Sequence, residues 1–388
     1  MNRRRWMMLS GAALVRRAGA AGPQQPVGPN PSPVQVTPDK LLLKDYRPRS
    51  IYKVPQTEVP KAKYPIIDVH NHGVRPPQQL DEMVKTMDAV GVERTVIFTG
   101  ASNPETFAEA RRTYSKFLDR FDLWCSFDLA GSDQPGFGPN ALKALEQCRH
   151  LGALGVGEVV DKGKGLGATV GTEPASWGRM GGPRPSAGPH PDDPRMDALW
   201  ERCGQLGMPV NIHVSDPIWA YLPMDNTNDG LMNGFTWRLD DKPGLLGHDG
   251  LIESLERALN KHPKTIFIAC HLANLDYDLT RLGQMFDRNP NLYADISARF
   301  SEIAPIPRFV NQFFQKYTDR VLYGTDFAYN PERFRTTFRI VETSDEHFYA
   351  GAQYHWPLYG LGLPDAVLKK LYHDNALNAF ARARKNGG

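Results

Sequence analysis

Residues 65–72 read PIIDVHNH, an apolar β-branched run that ends on two histidines two positions apart. In an extended strand residues i and i+2 share a face, so His70 and His72 point the same way. The pattern returns as PVNIHV at 209–214, TIFIACH at 265–271 and RVLYGTD at 320–326, which end on or near His213, His271 and Asp326. Taken singly, each has an ordinary reading: polar residues at a strand end, a core histidine, a turn or N-cap aspartate. Placed alike on successive strand ends they describe something else. In a barrel of parallel strands the C-terminal ends meet at one mouth, so distant residues gather around one point.

The sequence between these runs supports that architecture. Strand-like segments are expected at Ile66–His70, Thr95–Thr99, Leu123–Leu129, Leu154–Val160, Val210–Val214, Thr265–Cys270, Leu292–Ile296 and Val321–Tyr323. Helical periodicity follows them, as in Gln78–Val90, where Leu80, Met83, Val84 and Met87 mark one face. Further helices are expected at 105–118, 141–151, 196–206, 251–262 and 365–380. Eight strand–helix units indicate an α/β fold, a (β/α)8 TIM barrel, over residues 64–388.

With 388 residues, 41% hydrophobic and 10% aromatic, the chain has the means to build a large core. Its formal charge of +3 includes Arg3, Arg4, Arg5, Arg16 and Arg17; without those five the remainder is −2, so no basic face for nucleic acid is expected. Cys125, Cys148, Cys203 and Cys270 are widely spaced with no CxxC, and all read as core. Residues 1–20, with paired arginines, a short apolar stretch and an A-x-A pattern at Ala18–Ala20, resemble a twin-arginine export signal, which implies a periplasmic or secreted protein. Arg16 and Arg17 shorten the apolar region, and a basic tail on a cytoplasmic protein is the alternative. Residues 21–63 are crowded with proline and read as an extension. No stretch reaches the roughly 18 apolar residues of a membrane span. A homo-oligomer is compatible with the sequence, which carries no signal for one.

Two connections are long, 161–194 and 215–249, and both leave strand C-termini on the mouth side. The Gly-rich DKGKGLGATVG at 161–171 lacks phosphate-loop spacing and reads as a flexible lid. Trp177, Trp219, Tyr221, Trp237 and Arg238 would either line a pocket for a ring or sugar, with Trp219 against substrate, or pack their loops down.

Four neutral nitrogen donors and a carboxylate suit a divalent metal, zinc first and manganese second. Asp326 would bind it and take a proton from water, the ion bringing that water into range of a weak base. Glu158 shares a strand face with Val156 and Val160; a further ligand and an ion pair with Lys162 or an arginine stay equally open. Arg299 offers a fork of donors to a substrate carboxylate, with Arg75 either helping or solvated. Asp295 reads as an acceptor that orients a ligand or Arg299.

IDVHNH, VNIH, ACH and YGTD in this order, with WPLYGLGLPDAVLKKLYHDNA at 356–376, resemble the amidohydrolase superfamily, in its amidohydrolase-related branch that includes aminocarboxymuconate semialdehyde decarboxylase-like proteins. The resemblance runs from about Tyr64 to Phe380. It implies that His70, His72, His213 and Asp326 are metal ligands and that His271 binds metal or polarises substrate and water. It also implies a small-molecule substrate. The leading expectation is a hydrolase in which metal-activated water attacks an amide, ester or lactone carbonyl, with Asp326 and His271 as the catalytic pair. A carboxy-lyase acting on a small unsaturated or aromatic acid is the second, and a secreted binding protein with a structural metal the third.

Overall fold

The computed structural model describes residues 36–73, 79–129, 131–134, 137–168, 170, 187–327, 329–350 and 355–388. The export-signal segment, Arg75 and all of residues 171–186, Trp177 included, lie outside the described residues.

Among the described residues, eight parallel strands lie in chain order in two ladders. β1 (Ile66–Asn71), β2 (Val92–Phe98) and β3 (Phe121–Trp124) form one ladder; β4 (Val156–Asp161), β5 (Val210–Val214), β6 (Phe267–Ala269), β7 (Leu292–Asp295) and β8 (Val321–Leu322) form another. The ladders are interrupted at two seams, each bridged by backbone hydrogen bonds. Cys125 N–H donates to Gly155 O at 3.1 Å and Gly157 N–H to Cys125 O at 2.8 Å between β3 and β4; Val69 N–H donates to Tyr323 O at 3.0 Å and Asp326 N–H to His70 O at 2.9 Å between β8 and β1. The strand order is that of the expected (β/α)8 barrel, with two ladders in place of one closed sheet. Most strand residues are buried on both faces, which is why they read as nearly continuous apolar runs.

The helices in chain order are α1 (Leu80–Val90), α2 (Pro104–Thr113), α3 (Phe137–His150), α4 (Pro194–Gln205), a single turn α5 (Leu231–Gly234), α6 (His248–Lys261), α7 (Leu279–Arg288), a single turn α8 (Phe300–Ile303), α9 (Pro307–Lys316), α10 (Pro331–Glu342), α11 (Asp365–Lys369) and α12 (Asn375–Gly387). Helix α1 buries Leu80, Met83, Val84, Met87 and Val90 and stops at Gly91, whose φ of 89° suits glycine. Asn103, Asp193 and Asn330 cap α2, α4 and α10, each followed by a proline in the first turn. None of the helices among the described residues is long and apolar enough to cross a membrane.

Two corrections concern local extent. The third strand ends at Trp124 rather than Leu129, because its partners run out at Phe98↔Trp124. The second strand begins at Val92 rather than Thr95, since Ile66 on β1 already pairs with Val92.

Inside the barrel Ile67, Val96, Trp124, Ile268, Tyr293 and Leu322 form a cluster with Ala376, Ala379 and Phe380 of α12. Arg382 donates to Pro290 O at 2.7 Å and Asn386 to Lys264 O at 2.7 Å, both carbonyls preceding strands. Helix α12 therefore closes the strand N-terminal end, and the opposite end carries the functional loops. Residues 46–63 hold no helix or strand but are tied to the barrel, as where Thr57 N–H donates to Asp345 at 2.6 Å.

Candidate metal centre

The mouth of the barrel draws His70, His72, Glu158, His213, His271 and Asp326 together. His70 Nε2 lies 3.4 Å from Asp326 Oδ1 and 3.7 Å from Glu158 Oε1. His72 Nε2 lies 3.1 Å from Asp326 Oδ1 and 3.4 Å from Glu158 Oε2. His213 Nδ1 meets Glu158 Oε1 at 2.7 Å, and His271 Nε2 stands 3.6 Å from that oxygen and 3.8 Å from Asp326 Oδ2. Lys162 pairs with Asp216 at 3.0 Å, so Glu158 faces the imidazoles and not that lysine.

Local backbone geometry delivers these side chains. His271, Leu272, Ala273 and Asn274 all have positive φ, between 53° and 59°, directly after β6, and Asp326 has φ 56° after β8. Non-glycine residues in this region cost roughly 1–2 kcal/mol each. Such strain concentrates at functional sites, where surrounding structure enforces it. Gly324 is needed for a different reason: a Cβ there would stand 2.9 Å from His70 Cβ and 3.3 Å from Ser297 Cβ.

Behind the imidazoles sits a second set of groups. Asp295, fully buried, accepts from His70 Nδ1 at 3.1 Å, Asn211 Nδ2 at 3.2 Å, His271 N–H at 3.0 Å and Ser297 N–H at 3.1 Å. His271 Nδ1 donates to Ser297 O at 2.7 Å. With their protons on Nδ1, His70 and His271 turn Nε2 lone pairs inward. Asp295 thus orients His70, one of the two roles expected of it. Asn211 and Ser297 were not singled out from sequence; Asn211, two residues before His213 on the same strand face, carried a readable signal, whereas Ser297 past the end of β7 carried none.

Charge makes the arrangement demanding. Burial pushes the Asp326 carboxyl up, but His70 and His72 outweigh it and hold it far below the carboxylate range. Glu158 is likewise held well below by His213, against burial. Against the same burial penalty, Asp295 and Asp326 raise His70 well above the ordinary histidine value, and Asp326 and Glu158 raise His72 to about 9. Burial and the neighbouring His213 push His271 down to about 4. Two buried carboxylates among imidazoles call for positive charge between them. Among the described residues, His70 Nε2, His72 Nε2 and Asp326 Oδ1 are buried without a hydrogen-bond partner, and these three groups place ligand atoms within 4.8 Å of one another. A buried cluster of imidazole nitrogens and carboxylate oxygens fits a cation held between them, in place of the protons that the raised His70 and His72 otherwise carry.

The other expected contacts lie further out. Arg299 is buried; Nη1 donates to Ala298 O at 2.7 Å, Nη2 to Asn274 Oδ1, and Nε lies 3.5 Å from Asp276. Trp219 sits on a 3-10 turn after β5, in a small cluster with Val170, Ala220 and Leu239 and with its ring edge-on to Trp237. The base of the preceding Gly-rich loop is pinned by Asp161, which accepts from Gly163 and Gly165 N–H at 2.9 Å each.

Among solved structures, an uncharacterised TIM-barrel protein from Bordetella bronchiseptica is 18% identical, with 82% of this chain and 99% of that one covered, at a TM-score of 0.47. A probable 2-pyrone-4,6-dicarboxylic acid hydrolase from Acinetobacter baumannii, with citric acid bound, is 11% identical over 81% and 99% of the two chains, at 0.45. IDCase from Metarhizium anisopliae in apo form is 14% identical over 78% and 79%, at 0.40. No curated protein matches the chain. The amidohydrolase family model matches residues 67–382, from the first strand into the last helix, and the chain belongs to the amidohydrolase family.

Proposed function

We propose that this protein is a metal-dependent hydrolase of small molecules with an amide, ester or lactone carbonyl. The observation that carries the reading is the convergence of His70, His72 and Asp326, whose facing atoms are buried and unpartnered. These three and His213 would hold a divalent cation, zinc in first place, with Glu158 as a further ligand. Bound there, the cation would polarise the carbonyl and bring the pKa of a water within reach of a carboxylate.

Asp326 is the proton carrier. It is ionised throughout the neutral range, and Oδ2 is free of the close contact that Oδ1 makes with His72. Oδ2 takes the proton of the attacking water and returns it to the leaving group. His271 has its proton committed to Ser297 O, so Nε2 enters as a lone pair, and its low pKa opposes a second proton. That favours His271 as a nitrogen ligand or acceptor over a donor to developing negative charge.

His72 is 30% exposed while His70 is fully buried, so the centre opens to solvent on one side. An open side suits catalysis better than a closed structural site. Arg299 already gives Nη1 to Ala298 O and Nη2 to Asn274 Oδ1, so both arms of its fork are engaged, while Nε lies 3.5 Å from Asp276 without a hydrogen bond. Hydrolysis therefore has more support than a lyase that would need this fork for the departing carboxylate. Trp219 and its loop would roof the substrate.

The test is turnover of a lactone, ester and amide panel in 18O-labelled water by the zinc-loaded protein, against the chelated protein and a His70→Ala, His72→Ala variant. One 18O per product, lost in both controls, is expected. Carbon dioxide release without 18O would replace this reading with the lyase, and equal hydrolysis by the double variant would remove the metal from it.

A further inference from the structure

Each imidazole at the centre has an inner and an outer nitrogen. His70 and His271 turn Nε2 inward and give their Nδ1 protons to Asp295 at 3.1 Å and Ser297 O at 2.7 Å. His213 is turned round: Nδ1 faces Glu158 Oε1 at 2.7 Å, and Nε2 points outward, buried and without a hydrogen-bond partner. The anion facing that nitrogen is Asp216, with Oδ1 at 3.7 Å.

Asp216 is buried, and its placement is built. Ser215 adopts φ 69° immediately after β5, which bends the chain back, and its N–H donates to Asp161 O at 2.8 Å. Lys162, itself buried just past the end of β4, holds Asp216 Oδ1 at 3.0 Å. A lysine and an aspartate seldom go under the surface except as a pair. Here the pair lies against a central histidine whose outer nitrogen is buried without a hydrogen-bond partner among the described residues.

We infer that Asp216, backed by Lys162, is the positioning carboxylate of His213: it is the acceptor for the Nε2–H, which leaves Nδ1 as a lone pair aimed at the centre. Lys162 offsets the charge of Asp216 and fixes its distance from the ring. A neutral imidazole has one N–H, and two carboxylates compete for it, Glu158 on the inner side and Asp216 on the outer. Once a cation lies between Nδ1 and Glu158, the proton belongs on Nε2, and Asp216 is the group built to take it. This rests on the centre being a metal site.

The experiment uses the full chain, Asp216→Asn, and the double variant Lys162→Met, Asp216→Leu, which removes both charges and leaves neither buried alone. Zinc affinity is read by competition with a chromophoric chelator, and the His213 tautomer by 15N NMR of the histidine side chains in the zinc-loaded protein. Far-UV circular dichroism and urea midpoints establish folding. Wild type should carry the His213 proton on Nε2, and both variants should bind zinc about 10–100-fold more weakly with that signal shifted or averaged. Folded variants that keep wild-type affinity within about 2-fold and an unchanged Nε2–H signal would overturn the inference alone. A wild-type protein that binds no zinc would overturn the metal reading beneath it.

Discussion

Replacing Asp295 tests whether the shell behind the imidazoles holds the site together. The carboxylate is fully buried and accepts from His70 Nδ1, Asn211 Nδ2, His271 N–H, Ser297 N–H and the Ser297 hydroxyl. In Asp295→Ala the Ser297 hydroxyl can turn toward the imidazoles, but the two backbone N–H groups and the Asn211 amide lose their acceptor in a dry interior. Each such orphan costs about 1–3 kcal/mol, so the three together should cost about 3–9 kcal/mol. That is a large share of a typical stability of about 5–15 kcal/mol. Asp295→Asn keeps one oxygen for the two backbone donors but turns an amide NH2 toward His70 and Asn211, and should cost about 1–3 kcal/mol. The assay is urea unfolding of the chelated protein, extrapolated linearly with the slope checked for constancy. An alanine variant within about 1 kcal/mol of wild type, or equal losses in the two variants, would refute the idea that Asp295 is the common acceptor of this shell.

Three further outcomes follow from the geometry. Burial pushes the Glu302 carboxyl up to about 8, against the pull of Arg299. An acid with a raised folded pKa keeps its proton in the native state and loses it on unfolding, so stability falls as pH rises from about 4.5 toward 8. Glu302→Gln should therefore gain on wild type by about 1–3 kcal/mol between pH 5 and 8 in paired urea titrations, and parallel curves would contradict this. Gly324→Ala should push on His70, whose Cβ would be 2.9 Å away, and weaken zinc binding in chelator competition while the fold is retained; unchanged affinity would show that His70 yields freely. Gly230→Ala places a Cβ 2.1 Å from Trp219 Cγ and should loosen the loop after β5. Limited proteolysis should cut it faster with little change in the global urea midpoint, and an unchanged cleavage rate would contradict that packing.

The strands were legible because a parallel barrel buries both faces, which leaves short apolar runs in sequence, as in Val210–Val214. Six residues of the centre were legible because each closes such a run or, like Glu158, interrupts it with a charge. Strand limits were less so: β2 and β3 begin and end where their partners do, and pairing is not a local property. Helices α9 and α10 open on Pro307 and Pro331, residues that read locally as breakers although they suit a first helical turn. The left-handed run from His271 to Asn274 has no glycine to announce it. Asp295 was readable as an acceptor, but not the shell it organises, since Asn211, His271 and Ser297 meet only after the barrel has formed. Asp216 follows His213 by three residues, yet its pairing with Lys162 spans two strands and leaves no sequence pattern.

The measurement closest to the central claim is the metal content of the purified protein, by elemental mass spectrometry after dialysis against metal-free buffer. About one or two equivalents of zinc or a similar divalent metal per chain are expected, lost in the His70→Ala, His72→Ala variant. A metal-free wild-type chain that takes up neither zinc nor manganese when they are supplied would contradict that claim.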